Sequence, residues 1–242
     1  MPTSHILWIV LVVANLVVQI LCFFRDENRP LFLAKKATTP LLLFSAFLIL
    51  WYHSGTAFSV AGIILLAMGV GEFGMEGSNV VTSQGGPPTA LERWAVTTAG
   101  LLFLLVNVFL GAVLLVQIRA ALPIAIGFGA AIALVATMLM LVFRLFAPEK
   151  TVRTQMLLYA PGLVVLAAGA VAALFGPVSG LGLAAIILTV SDSLVLIRMG
   201  AGFDKSTPRG KRILLILMVL ILLLYYVYMG VLISTGSPFV GG

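Results

Sequence analysis

Arg119 to Arg153 read RAALPIAIGFGAAIALVATMLMLVFRLFAPEKTVR, and no charged residue falls between Ala120 and Phe143. A hydrocarbon core of about 30 Å is crossed by ~20 helical residues, so the apolar run Ala121–Phe146 is long enough to span a bilayer. Its flanks differ in charge: Arg119 stands alone on one side, whereas Arg144, Lys150 and Arg153 crowd the other. Working outward, seven further apolar runs appear, at Ser4–Phe24, Thr39–His53, Ala57–Phe73, Arg93–Ile118, Thr154–Phe175, Pro177–Met199 and Lys211–Thr235. Thr39–His53 is short for a span, and the others are of spanning or near-spanning length. Alternate connections carry Arg25, Arg29, Lys35 and Lys36; Arg93; Arg144, Lys150 and Arg153; and Arg198, Lys205, Arg209, Lys211 and Arg212. That leaves only Arg119, of 14 Lys and Arg residues, on the opposite side. Cytoplasmic loops collect Lys and Arg, which puts the charged loops inside and both termini outside the cytoplasm. The expected fold is all-α: a single eight-helix transmembrane domain over residues 1–242, in the plasma (inner) membrane.

Composition agrees. The chain is 62% hydrophobic and 9% charged, against about 25% charged in soluble domains. A net charge of +6 in a soluble protein would suggest nucleic acid. Here the cations sit at helix ends, where they set topology and meet anionic head groups, so the expected partner is the bilayer and not nucleic acid. The first apolar run lacks a basic leader and is followed by Arg25-Asp26-Glu27-Asn28-Arg29, which reads as a retained anchor. Cys22 is the only cysteine, so no intrachain disulfide and no cysteine-based metal site can form. No metal or cofactor is expected, and the oligomeric state is not encoded in these patterns.

Several helix ends are marked by capping chemistry. Thr39-Pro40 and Thr207-Pro208 each offer a hydroxyl cap followed by a proline at the first helical position. Thr89-Ala90-Leu91-Glu92 fits a capping box. Gly74–Glu92 reads as a loop, and Gly176-Pro177 as a short external turn. Pro161 falls inside the sixth span, where it frees the Leu157 carbonyl and kinks the helix, a place for a cavity or for ordinary membrane packing.

An ionisable residue within a span costs ~2.5–3.5 kcal/mol on insertion scales, so Asp192 needs a reason. It lies six residues before Arg198, roughly 9 Å from the cytoplasmic end. Gly182, Ala185, Thr189 and Asp192 recur at helical spacing as one small, polar stripe suited to close packing against neighbouring helices. Ser191 and Ser193 flank the carboxyl. Asp192 reads as a general acid or a ligand for an ion or substrate, with a structural aspartate bonded across helices as the bland alternative. Asn107 sits near the centre of the fourth span; Asn15 and Gln19 lie in the first; Tyr225, Tyr226 and Tyr228 are mid-span in the last. Alone each is interhelical glue, and with Asp192 they form a polar pocket. Glu72, at the cytoplasmic end of the third span, matches Asp192 in depth. His5 and His53 lie at the outer edge. No phosphate loop, paired-histidine helix or serine elbow is present.

Four runs together resemble the YhhN family of lysoplasmalogenase-like membrane proteins. Lys36-Ala37-Thr38-Thr39-Pro40-Leu41-Leu42-Leu43 resembles that family's K-P-x-T-x-P-L-L-L. Phe58-Ser59-Val60-Ala61-Gly62-Ile63-Ile64-Leu65 sits where the family has a serine-containing run ending in G-D-x-x-L. Ser191-Asp192-Ser193-Leu194 resembles S-D-x-x-L, and Tyr225-Tyr226 with Leu232-Ile233 resembles Y-Y-x-x-Q-x-L-I. The resemblance implies eight spans and hydrolysis of the vinyl-ether bond of lysoplasmalogens to a fatty aldehyde and a glycerophospho-base, with a lipid or lysophospholipid as substrate. Of the family's acidic pair only Asp192 matches. Ile63 stands at the third-span aspartate, Asn107 near a fourth-span histidine, and Gly230 near the last-span glutamine or histidine. Glu72 cannot simply replace the missing acid, since nine residues are ~13–14 Å along a helix. The expected catalytic set is Asp192, Asn107 and Glu72, and the expected substrate contacts are Lys36, Ser191, Ser193, Tyr225 and Tyr226. Two other readings compete: a non-catalytic lipid-binding relative, and a small transporter using Asp192.

Overall fold

A computed structural model describes residues 3–24, 29–54, 59–82, 90–118, 121–148, 150–174, 180–203 and 207–234. Among these residues there are eight α-helices and no strands. They are α1 (Thr3–Phe24), α2 (Arg29–Ser54), α3 (Val60–Thr82), α4 (Ala90–Ile118), α5 (Ala121–Phe146), α6 (Lys150–Ala173), α7 (Gly180–Ala201) and α8 (Pro208–Ser234). Six of them are long and apolar enough to cross a membrane; the apolar parts of α2 and α3, Ala37–Tyr52 and Val60–Glu72, are shorter. The chain is a multi-pass integral membrane protein.

The surface of α5 shows why. Gly127, Ala131, Val135, Leu139 and Val142 recur every three or four residues and are buried, which makes one narrow packing stripe. Leu122, Ile126, Ile132, Leu134, Met140, Leu141 and Leu145 are exposed on the remaining face. So wide an apolar surface matches lipid tails and would drive association in water.

Two expectations about helix ends need correction. Thr39-Pro40 does not begin the second helix: α2 starts at Arg29 and carries Pro40 in its interior. The Thr39 hydroxyl, instead of capping, accepts hydrogen bonds from Asn15 and Gln19 of α1 at 3.1 and 3.0 Å. This tertiary use of the hydroxyl replaces the cap. Nor is Gly74–Glu92 a loop throughout, because α3 runs on to Thr82 and α4 begins at Ala90. Helical backbone bonding is satisfied within the segment, so a helix can continue beyond its apolar portion. By contrast, Thr207-Pro208 does cap α8: the Gly210 N–H donates to Thr207 Oγ1 at 3.0 Å, and the Lys211 N–H to the Thr207 carbonyl at 2.9 Å. Ser59 caps α3 in the same way, its Oγ accepting from the Gly62 N–H at 3.1 Å. Pro161 lies inside α6 as expected. The Thr89 capping box and the Gly176-Pro177 turn lie outside the described residues.

The chain forms two compact units, Met1–Val106 with Leu232–Gly242, and Asn107–Val231. In the first, α2 packs on α1 and on α3, around the fully buried Leu42, Leu43, Leu50, Ile64 and Leu65. Asn15 stitches α1 to α2 by donating also to Thr38 Oγ1 at 2.9 Å. In the second, α5, α6 and α7 pack mutually, and the latter half of α4 lies against α6. That last contact is backbone on backbone: a Cβ on Gly111 would fall on the Val165 carbonyl, and one on Gly169 would come 2.7 Å from the Gly111 oxygen. At the far end, Arg153 Nε donates to the Pro148 carbonyl at 2.7 Å, while its guanidinium lies 5.8 Å from the Phe143 ring centroid. Together these fix the turn between α5 and α6.

Candidate functional site

The glycine contact sets the site. Because α4 approaches α6 without side chains between them at Gly111 and Gly169, a residue one turn earlier on α4 is brought within reach of α6 and α7. That residue is Asn107, which is 2% exposed. Its Nδ2 donates to the Tyr159 hydroxyl of α6 at 2.8 Å and to Asp192 Oδ2 of α7 at 2.7 Å. Tyr159 in turn donates its hydroxyl hydrogen to the same Asp192 oxygen, also at 2.7 Å. Three helices of the second unit thus meet in a closed triangle of polar side chains.

Counting hydrogens defines what the triangle can do. Asn107 spends both amide hydrogens, and Tyr159 spends its only one. Asp192 Oδ2 accepts two bonds, which makes it the acceptor oxygen in either protonation state. Asp192 Oδ1 takes no hydrogen bond from any described residue. The residue is half-buried, so Oδ1 is the working face of the carboxyl. It can carry a proton for donation or accept a bond from a ligand.

The stripe that carries Asp192 is packed as its composition requires. Gly182, Ala185 and Thr189 are all buried, and Thr189 Oγ1 donates back to the Ala185 carbonyl at 2.7 Å. Ser193 Oγ donates to the Thr189 carbonyl at 2.7 Å, so its hydrogen is committed to its own helix. Ser191 is buried on α7. Tyr225 and Tyr228 of α8 stack with centroids 6.2 Å apart and planes 27° off parallel, and Tyr226 beside them is buried. Tyr228 is fully buried, and its hydroxyl has no hydrogen-bond partner among the described residues.

The other expected residues belong to the first unit. Glu72 is half-buried on α3. Lys36 is on α2, its side chain outside the described residues. Ile63, where the family resemblance expects an acid, is 41% exposed, between the buried Gly62 and Ile64. An acid at that register would stand on the outer face of α3. Tyr159 is the residue that sequence reading missed. Its signal was present: it is the one tyrosine of the sixth span, two residues before Pro161. No protein-family model matches the chain, nor does any curated protein or solved structure.

Proposed function

We propose that the chain is an ether-lipid hydrolase of the lysoplasmalogenase kind, with Asp192 as its general acid. In this reading it is an eight-span protein of the plasma membrane, both termini outside the cytoplasm, and a divergent relative of the YhhN family. The observation that carries the proposal is the convergence of Asn107 and Tyr159 on one oxygen of Asp192, within a lipid-embedded bundle. A carboxyl inside a span is costly and is retained for a task. Here two donors hold one oxygen while the other stays open.

The reaction needs only a proton and water. Asp192 Oδ1 gives its proton to the β-carbon of the vinyl ether, the C=C π pair forming the new C–H bond. Positive charge develops on the α-carbon and is shared with the ether oxygen, as in glycoside cleavage. Water attacks that carbon and returns a proton to the Asp192 carboxylate. The hemiacetal then collapses: the carbon–oxygen bond to glycerol breaks, its electron pair leaves with the glycerol oxygen, and the hemiacetal hydroxyl proton passes to that oxygen. One water is consumed, one aldehyde and one alcohol appear, and nothing is oxidised or reduced. As the carboxylate forms, the hydrogen bonds from Tyr159 and Asn107 become charge-assisted and strengthen, which favours proton release. Tyr225, Tyr226, Ser191 and Ser193, all of the second unit, are assigned to the lipid.

Detergent-purified protein incubated with lysoplasmenylethanolamine is expected to release free fatty aldehyde, and Asp192→Asn to abolish release while preserving the fold. No aldehyde from well-folded wild type would remove the hydrolase reading for this substrate. Lysolipid binding without turnover would then favour the non-catalytic alternative.

A further inference from the structure

The turn between α5 and α6 gathers charge. Arg144 to Arg153 hold three cations and one acid, Glu149, a formal charge of +2 within ten residues. Arg144 lies in the last turn of α5, and Lys150 begins α6. The reversal between them is tight: the Ala147 N–H donates to the Phe143 carbonyl at 3.2 Å, and Ala147 takes a left-handed φ of 43°, which ends the helix. Arg144, Lys150 and Arg153 are all exposed. Setting topology needs only their charge and does not require any of them to be held. Arg153 is held nonetheless. Its Nε donates to the Pro148 carbonyl at 2.7 Å, and its guanidinium lies 5.8 Å from the Phe143 ring centroid. A guanidinium carries N–H donors on Nε, Nη1 and Nη2; in Arg153 only Nε is bonded among the described residues. The two Nη groups form a fork fixed in advance, of the shape that a phosphate accepts in two parallel bonds. Lys150, three residues earlier on the same helix, shares the face of Arg153.

One helical turn further into each span the surface is apolar. Leu157 is four residues after Arg153, and Leu141 three before Arg144, so each lies on the same helix face as its cation. Leu157 is 54% exposed and Leu141 51%. A cationic end with an apolar flank one turn deeper complements an amphiphile with an anionic head, and not a soluble anion. We propose that the α5–α6 turn binds the phosphate of an anionic phospholipid, with Arg153 as the anchor, Lys150 and Arg144 beside it, and the acyl chains along Leu141 and Leu157. In the proposed orientation this is the cytoplasmic leaflet, where anionic lipids attract basic segments. The whole site lies in the second unit and does not depend on the hydrolase reading.

Native mass spectrometry of the detergent-purified full chain, titrated with phosphatidylglycerol or phosphatidylcholine, tests the site. Wild type is expected to retain phosphatidylglycerol at least about tenfold more tightly, and equal retention of the two lipids would overturn the proposal. Soluble sn-glycerol 3-phosphate offers the same phosphate without acyl chains and is expected not to bind at the same concentrations. Binding as tight as that of the lipid would overturn the lipid as ligand. Arg153→Lys keeps the charge and loses the fork, and is expected to weaken phosphatidylglycerol about tenfold. The double variant Arg144→Gln, Lys150→Gln leaves the bond from Arg153 to Pro148 in place. It is expected to weaken the lipid severalfold without a change in unfolding temperature in zwitterionic detergent. Arg209→Gln with Arg212→Gln removes as much charge from the start of α8 and is expected to leave retention unchanged. A loss there equal to that of the Arg144 and Lys150 pair would show general surface charge in place of a site. Full retention in both Arg153→Lys and the Arg144 and Lys150 pair would overturn the site outright.

Discussion

At the residue scale, a half-buried carboxyl is defined by how its two oxygens differ. Asp192 Oδ2 is held by Asn107 and Tyr159, and Oδ1 is not. Tyr159→Phe is expected to lower aldehyde release by about tenfold and to change stability by no more than ~1 kcal/mol, because interhelical hydrogen bonds in membranes are individually modest. Full activity in that variant, measured by aldehyde release, would remove Tyr159 from the site. Asn107 and Tyr159 also bond to each other, so their effects should not add. A double-mutant cycle of Asn107→Ala with Tyr159→Phe is expected to show a coupling of roughly 0.5–1.5 kcal/mol in unfolding. Additive losses would show that the triangle does not act as a unit. Asp192 and Asn107 were legible in the sequence because polar groups are anomalous within apolar spans. Tyr159 was not, because a tyrosine is tolerated in a span and betrays a role only through what its hydroxyl touches.

At the scale of the element, glycines and threonines decide which helices meet. Gly111 leaves no room for a side chain against the Val165 carbonyl. Gly111→Val is expected to destabilise the second unit by about 1–3 kcal/mol and, by pushing α4 from α6, to cost activity as well. Thermal unfolding and aldehyde release together check this, and an unaltered melting curve would contradict it. In the first unit, Thr39→Val removes the acceptor for Asn15 and Gln19 and is expected to cost ~1–2 kcal/mol. Helix existence and approximate span were readable from apolar run length. The extension of α2 back to Arg29 was not, because the Thr-Pro pair carries the same local signal whether its hydroxyl caps its own helix or binds another. Gly111, four residues after Asn107, and its partner Gly169 are ordinary small residues of their spans in the sequence, and their contact shows only where the helices meet.

At the scale of the whole molecule, the class follows from apolar length and the proposed orientation from the distribution of 14 cations. With Cys22 replaced by serine, a cysteine at position 119 is expected to react with an impermeant thiol reagent from outside intact cells. A cysteine at position 153 should react only after permeabilisation. The reverse pattern would invert the topology. Function was the least legible level: short motifs pointed to a chemistry, while the grouping of Asn107, Tyr159 and Asp192 depends on three helices meeting, which no local pattern encodes.

The central claim is that Asp192 delivers a proton to carbon. Its most direct test is turnover of lysoplasmenylethanolamine in heavy water, with rapid reduction of the product and mass analysis of the resulting alcohol. The account predicts a single deuterium on the carbon next to the former aldehyde carbon, formed by wild type and lost with Asp192→Asn. Aldehyde without deuterium at that carbon, or undiminished release by Asp192→Asn, would contradict it.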